Sequence, residues 1–255
     1  MNGYLWTYRK GVILNSAIVL GDGRIYFVES RNPVVIADAD GRIRVDDFCK
    51  TGAHLVALDA ATGKKQWEQP FDQPYGQYLF LSFAGDALLS TGSYNVGDRV
   101  HYGLASFDPT TGTQRWTNSF RGQASGGVHG EQWQHPAIVG DTIYVLPYAF
   151  DLKTGAQKQG WQFARGGGQG CGTVSASASQ LFFRGGVPKM HDLTLDRLIP
   201  LTQVNRPGCW INIIAAGGLV LIPESSSGCT CDWSLQTSLA FVPRHETRTL
   251  EPEAP

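Results

Sequence analysis

Short apolar stretches alternate with glycine and aspartate along most of the chain. Ser16-Ala17-Ile18-Val19 is followed by Gly21-Asp22 and then by Ile25-Tyr26-Phe27. Runs of this length, bounded by turn residues, are typical of β-strands joined by tight hairpins. The same pattern recurs at residues 136–145 and 79–89 and, in degenerate form, at 174–183 and 211–221. The sequence therefore predicts five copies of one hairpin.

A second motif follows three of these hairpins. It has the form Ala/Ser-x-Asp-x-x-Thr-Gly-x-x-x-Trp, and its third copy reaches the tryptophan two residues late. The aspartates are 49 and 43 residues apart. The residues of the motif are Ala57, Asp59, Thr62, Gly63 and Trp67, then Asp108, Thr111, Gly112 and Trp116, then Asp151, Thr154, Gly155 and Trp161.

Together the two motifs describe a four-stranded antiparallel meander of about 40 residues, which is the size of a β-propeller blade. The aspartate can accept hydrogen bonds from the N–H groups of its own turn, and glycine supplies the positive φ that such a turn needs. Each tryptophan then begins the outermost strand and packs against the neighbouring blade. We therefore predict an all-β fold with about five four-stranded blades.

The motif that is complete at Ala57, Asp59, Thr62, Gly63 and Trp67 resembles the tryptophan-docking repeat of the pyrroloquinoline quinone (PQQ)-like propellers. That family includes quinone-dependent dehydrogenases, the propeller lipoprotein of the outer-membrane barrel-assembly machinery, and uncharacterised bacterial envelope proteins. Residues 206–212 and 227–231 resemble the uncharacterised group, in particular its planctomycete-type members. The resemblance implies a repeat scaffold in the periplasm or cell envelope.

The two ends of the chain leave the number of blades open. Trp6-Thr7-Tyr8 resembles the start of a fourth strand, and the last predicted strand ends near Val242. Either the N-terminal strand completes a closed five-bladed ring, or the chain is part of a seven- or eight-bladed propeller, as the resemblance implies; we favour the second alternative. We expect a propeller domain over residues 1–245 and a tail over 246–255. The sequence shows no signal peptide, so a cytoplasmic location follows if Met1 is the true start.

Composition excludes some partners. The chain carries 21 basic and 22 acidic residues, without a basic cluster, so we expect no nucleic-acid binding. No apolar run is long enough for a transmembrane helix.

The five cysteines are expected on one face of the propeller, in the loops that lead into the first strands or join the second and third strands. They are Cys49, Cys171, Cys209, Cys229 and Cys231. Cys229 and Cys231 are too close in sequence to pair well with each other, so each is a better partner for Cys171 or Cys209. Structural disulfides, free buried thiols and a metal or redox site are the three alternatives.

A second group on the same face is His129, Glu131 and His135. Two imidazoles and a carboxylate could bind a metal or transfer protons. The simpler interpretation is that His135 marks the start of a strand, because His135-Pro136 occupies the place of Asn15-Ser16.

Two functions are compatible with this sequence. The first is a non-catalytic binding or scaffolding propeller of the bacterial envelope, whose cysteine-bearing loop face contacts a protein, a glycan or a fused domain. The second is a PQQ-dependent alcohol or sugar dehydrogenase, for which the resemblance implies PQQ, Ca²⁺ and an aspartate base. The predicted first strands contain Asn212 but no aspartate or glutamate. We therefore favour the first function over the second, and PQQ with Ca²⁺ is expected only if the second is correct.

Overall fold

The computed structural model describes residues 5–38, 40–125, 135–161, 172–208, 213–224 and 237–242. It divides into two compact units, residues 1–164 and 165–255. Nearly all regular structure in the described ranges is β, in antiparallel sheets whose strands follow chain order.

The first unit begins with a four-stranded sheet. Its strands are β1 (Val12–Gly21), β2 (Arg24–Ser30), β3 (Ala53–Asp59) and β4 (Lys65–Pro70), paired in that order. The turn between β1 and β2 places Asp22 and Gly23 at positive φ, 47° and 70°. The register between β3 and β4 shifts next to the pair Ala57 and Trp67.

Two further sheets complete the first unit. The second contains β5 (Tyr78–Ala84), β6 (Ala87–Val96), β7 (Arg99–Phe107) and β8 (Gln114–Ser125). The third contains β9 (Ala137–Val139), β10 (Thr142–Val145) and β11 (Tyr148–Asp151), with an isolated bridge between Phe150 and Gln157. The first strands β1 and β5 contact each other, as they do when blades stand side by side.

The second unit contains two sheets in its described residues. One is formed by β12 (Ser175–Ala176), β13 (Gln180–Gly185), β14 (Val187–Asp192) and β15 (Arg197–Pro200). The other is formed by β16 (Ile214–Ala216), β17 (Leu219–Ile222) and β18 (Leu239–Phe241). A small apolar core joins them through the buried side chains of Phe182, Ile213 and Ile222.

These sheets confirm the predicted fold class, an all-β propeller built from four-stranded antiparallel blades. All five predicted hairpins are present, although the third and fifth sheets have three strands in the described residues. The blade number and the boundary between a 1–245 domain and a 246–255 tail stay predictions, and the tail lies outside the described residues.

The connection between β2 and β3, expected as a long loop, contains two short helices, α1 (Pro33–Ala37) and α2 (Val45–Lys50). Asn32 caps α1 because its side chain accepts a hydrogen bond from the Val34 N–H, at 3.0 Å. Phe48 anchors α2 in the core of the first unit and is 2% exposed. Neither helix has the length or apolar character needed to cross a membrane.

Candidate functional site

The three Asp-x-x-Thr-Gly turns of the first unit have similar hydrogen bonds, except that in the second turn the hydroxyl that donates to the aspartate is that of Thr110 and not that of the motif threonine. Oδ1 of Asp59 accepts from both the N–H and the hydroxyl of Thr62, each at 2.7 Å. The Gly63 N–H donates to the Asp59 carbonyl at 2.9 Å, with φ at 69°. The equivalent bonds are made by Asp108 with Thr110, Thr111 and Gly112, and by Asp151 with Thr154 and Gly155.

A tryptophan from the preceding chain segment lies on each of these turns. Its Nε1–H donates to the carbonyl of the residue that follows the aspartate, and its ring covers the glycine. The donor and acceptor pairs are Trp6 with Ala60 (3.1 Å), Trp67 with Pro109 (2.9 Å) and Trp116 with Leu152 (3.2 Å). The third predicted tryptophan, Trp161, lies outside any strand and packs edge-on against Tyr144, with ring centroids 4.9 Å apart.

An amide two residues after the tryptophan adds a contact that the motif did not include. Gln69 donates to the Thr111 carbonyl at 3.0 Å, and Asn118 donates to the Gly155 carbonyl at 2.7 Å. The hydroxyl of Thr110 and the guanidinium of Arg115 hold the pKa of Asp108 well below its ordinary value. The pKa values of Asp59 and Asp151 are lowered as well. All three aspartates are therefore ionised at neutral pH, and because their pKa values are low, they are poor proton acceptors.

Most residues proposed for the loop face lie outside the described residues. This holds for Cys171, Cys209, Cys229, Cys231, His129 and Glu131, so the disulfide, thiol and metal alternatives stay predictions.

His135 is described: its ring packs edge-on against Phe80, with centroids 5.1 Å apart, and its Nδ1 lies 3.2 Å from the Pro136 carbonyl. Burial lowers the pKa of His135. These contacts suit a packed residue at the start of β9.

Cys49, on α2, has a free thiol. Burial, together with the charge of Asp46, raises its pKa to about 12, so it is protonated and unreactive at neutral pH. Within the described ranges, no group of three His, Cys, Asp or Glu side chains could hold a metal ion.

The loop side of the first unit contains an open groove. We call it the loop-face groove; its volume is about 680 Å³. Three segments line it: residues 44–50, which include α2; residues 72–77, which connect β4 to β5; and Tyr94 and Asn95 at the end of β6. The groove thus brings together a connection that leads into a first strand and two connections between second and third strands, as the sequence predicts for this side.

Tyr75 fixes the middle segment of the groove. It is 2% exposed, and its hydroxyl lies 3.2 Å from Oγ of Ser90. Its ring lies against Gly92 and Gly103, where a Cβ on Gly103 would come within 2.7 Å of the ring. Glycine at these two strand positions therefore makes room for the tyrosine, and the 72–77 segment is held against β6 and β7.

Three amide side chains, Gln73, Gln77 and Asn95, line the loop-face groove. The N–H groups of Gly76 and Gln77 both donate to the Ser93 carbonyl, at 2.9 and 3.0 Å. The Gln77 amide donates to Oδ1 of Asn95 at 3.1 Å and accepts from the Ser93 hydroxyl at 3.3 Å. Gln73 donates to Oε1 of Gln114 at 2.9 Å. Amides fixed in this way present donors and acceptors without a titrating group.

The charged groups of the groove are of both signs. Asp46, Asp47 and Asp72 face a lining that also contains Arg44 and Lys50. Arg44 and Asp46 form an exposed ion pair, with Nη2 and Oδ2 2.5 Å apart. A groove with paired charges, fixed amides and tyrosine rings is suited to binding a polar partner surface. It offers no nucleophile activated by a neighbouring base.

An ion network beside the first sheet was missed by the sequence interpretation. Arg31 pairs with the fully buried Glu29 and, through two bonds of 3.0 and 2.9 Å, with Glu68. Lys10 also reaches Glu68, at 2.9 Å. Arg31, Lys10 and Lys65 hold the pKa of Glu68 far below its ordinary value. The network connects the start of the chain and the β2–β3 connection to β4. In the sequence, its one signal is an acidic residue, Glu29, within the apolar strand β2.

The sequence of this chain matches the model of one protein family. A sequence profile described as outer membrane protein assembly factor BamB matches residues 51–188. No protein among curated sequences matches the chain.

One solved structure with a TM-score of 0.50 shows the same fold, and two others are similar with lower scores. The crystal structure of BamB from Moraxella catarrhalis is similar with a TM-score of 0.50 and 16% identity, over 91% of this chain and 59% of that one. A europium-containing methanol dehydrogenase has a TM-score of 0.38 and 13% identity, over 82% of this chain and 52% of that one. The quinohemoprotein alcohol dehydrogenase ADHIIG from Pseudomonas putida HK5 has a TM-score of 0.39 and 12% identity, with coverages of 81% and 42%. The chain thus spans well under two thirds of each of these proteins.

Proposed function

The chain belongs to the family of the outer membrane protein assembly factor BamB, and on that premise we propose that it is a non-catalytic binding propeller of the bacterial cell envelope. Its partner is a protein, contacted through the loop face; a glycan or a fused domain is the alternative partner. A periplasmic location and disulfides among the loop-face cysteines belong to the same proposal. So does the kinship with planctomycete-type proteins, which rests on residues 206–212 and 227–231.

The observation that carries the proposal is the loop-face groove. Its three segments come from different parts of the chain, and each is fixed by contacts with the sheets: Phe48 in the core, Tyr75 against β6 and β7, and Gln77 on Ser93. A preformed polar groove loses little conformational freedom when a partner binds. The regular turns on the opposite side use their polar groups internally, so the loop side is the better binding surface.

The dehydrogenase alternative requires groups that hold PQQ and Ca²⁺. In the described residues, the first strands β1, β5, β9, β12 and β16 carry no aspartate or glutamate, and no acidic cluster could hold the ion. Calcium is bound by several oxygen ligands, most often carboxylates. The described residues therefore do not fit the cofactor. The alternative stays open for the residues outside the described ranges, among them 126–134, 162–171, 209–212 and 225–236.

A crosslinking experiment tests the proposal. A photoreactive benzoylphenylalanine is placed at Lys50 or at Asp72, on two sides of the groove, and the matched control carries it at Ala61 on a turn of the opposite side. All three positions are exposed. After irradiation in cells, we expect the same envelope protein to be attached from positions 50 and 72 and not from position 61. Equal attachment from all three positions, or none from 50 and 72, would contradict the binding role of this face.

The cofactor alternative is measured separately on the purified protein. We add PQQ and Ca²⁺, follow bound PQQ by its absorbance after gel filtration, and assay dye reduction with ethanol and glucose. We expect no retained PQQ and no substrate-dependent dye reduction. Retained PQQ with substrate-dependent reduction would replace the scaffold proposal by the dehydrogenase.

A further inference from the structure

The second unit contains an apolar pocket between its two sheets, with a volume of about 540 Å³. Strands β13 and β14 supply Phe182 and Met190 on one side, and β16 and β17 supply Ala215 and Val220 on the other. The remaining lining residues are Ser177, Gln180, Leu201, Ala216, Gly217, Gly218, Leu219, Phe241 and Val242. None of these described lining residues is charged, so the pocket suits an uncharged apolar ligand.

The equivalent space in the first unit is filled by aromatic rings. Tyr26 on β2 pairs with Ala57 on β3, which in turn pairs with Trp67 on β4. The Tyr26 ring lies 5.9 Å from that of Trp67 and stacks at 5.7 Å and 11° on Phe83 of the next sheet. Three rings thus fill the space between the first and second sheets.

At the corresponding strand positions of the second unit, two of the three side chains are not aromatic. Phe182 pairs with Met190, and Met190 pairs with Ile199, so Ile199 stands at the strand position of Trp67. Ala215 and Val220 form the second residue pair from the β16–β17 turn. Phe83 and Leu88 form the second pair from the β5–β6 turn, so Ala215 stands at the strand position of Phe83. An isoleucine and an alanine therefore stand at the strand positions of a tryptophan and a phenylalanine, and the pocket is lined by the alanine, Ala215.

We propose that this pocket binds a small planar aromatic molecule. Two phenylalanine rings, Phe182 and Phe241, line the pocket, and aromatic rings are favourable neighbours for one another. Met190 faces the same space, and its thioether makes favourable contacts with aromatic rings. At the edge, the Ser177 hydroxyl donates to Oε1 of Gln180, which gives the ligand one polar boundary. This site is independent of the proposed function of the loop face.

The chain provides its own reporter for this site, because Met1 and Met190 are its only methionines. We label both methyl groups with ¹³C in the full chain and titrate with indole. We expect a saturable shift of the Met190 signal, half complete at about 0.1–1 mM, and an unmoved Met1 signal. Cyclohexanol, which is not planar, should bind at least about tenfold more weakly. No saturable Met190 shift, or equal binding of cyclohexanol, would overturn the proposal.

Filling the pocket gives a second test. Ala215→Leu places a longer side chain in it; leucine is preferred to phenylalanine because Ser177 carries a Cβ where Gly21 leaves room for Phe83. We expect indole affinity to fall at least about tenfold. The control, Leu198→Phe, changes an exposed residue of β15 outside the pocket and should leave affinity unchanged. Unchanged binding in a folded Ala215→Leu protein would overturn the assignment; the wild-type titration decides if that variant does not fold.

Discussion

The turn of Asp108–Gly112 in the first unit and the turn of Asp192–Asp196 in the second have the same backbone design and different fifth residues. In both, Oδ1 of the first aspartate accepts hydrogen bonds from N–H groups two and three residues later; for Asp192 these are 2.9 and 3.0 Å long. In both, the fifth residue has positive φ, 73° at Gly112 and 47° at Asp196. Only the first turn has glycine there.

The surroundings of the fifth residue explain the difference. A Cβ on Gly112 would lie 2.6 Å from the Trp67 ring. The side chain of Asp196 is instead 83% exposed and contacts Nε2 of His191 at 2.9 Å. Positive φ alone is tolerated by aspartate. Glycine is therefore required in the first unit because a ring covers the turn, and aspartate is accepted where no ring does.

The largest effect is expected for Gly112→Ala. The new Cβ meets the tryptophan ring and also stands at positive φ, so we expect the free energy of unfolding to fall by about 2–5 kcal/mol. Urea denaturation measures it. The matched control is Gly140→Ala, because Gly140 has φ of 58° with no atom within 4 Å of its Cβ position. The control should lose about 1–2 kcal/mol. Equal losses in the two variants would show that the ring contact is irrelevant.

A double-mutant cycle sharpens the comparison. Trp67→Ala removes the ring that covers Gly112, so adding Gly112→Ala to it should cost only the positive-φ strain and the contact with Cγ of Gln69, which would lie 2.7 Å from the new Cβ. We expect a coupling energy of about 1–3 kcal/mol between the two sites, measured by urea denaturation of the four proteins. Additive losses would mean that the Trp67 ring is not the reason why glycine is needed.

The turns and hairpins could be predicted from the sequence because their interactions are local. Asp59, Thr62 and Gly63 are hydrogen-bonded within five residues, and the Gly/Asp hairpins have strong intrinsic turn chemistry. The turn at Asp192 was missed because Asp196 replaces the glycine of the motif and no tryptophan follows: the motif's spacing in sequence leads to Pro200. Without these two residues the motif is not recognisable, although the backbone repeats it.

The loop-face groove could not be predicted in the same way. Its parts are far apart in sequence: Asp46 on α2, Tyr75 before β5 and Asn95 on β6. No local pattern relates Tyr75 to the two glycines on which its ring lies. The helices in the β2–β3 connection depend on burial of Val35 and Phe48, which is a tertiary effect that short helices require. The apolar pocket was not predicted either, because it depends on how β13 and β14 pack against β16 and β17.

A smaller effect is expected from the charge of Asp108. Its folded-state pKa is depressed by Thr110 and Arg115, so its contribution to stability is complete above its ordinary pKa of about 4 and is lost as pH falls below it. Asp108→Asn keeps an oxygen acceptor for the turn and removes the titration. Between about pH 5 and pH 2, the wild type should lose more unfolding free energy than the variant. Parallel acid profiles would show that the carboxylate charge does not contribute.

The smallest effect is expected for Asp196→Gly, which gives the second turn the residue of the first. Glycine adopts the positive φ without strain, whereas loss of the exposed contact with His191 removes little stabilisation. We expect the free energy of unfolding to change by less than about 1 kcal/mol, in the stabilising direction, as measured by urea denaturation.

Asp196→Asn is the control, because asparagine also tolerates this conformation and should change stability by less than about 0.5 kcal/mol. A loss above 1 kcal/mol for Asp196→Gly with an unchanged Asp196→Asn protein would mean that a side chain at this position, and not the backbone conformation, stabilises the turn. The ring contact of the first unit would then not be the reason why the two turns differ.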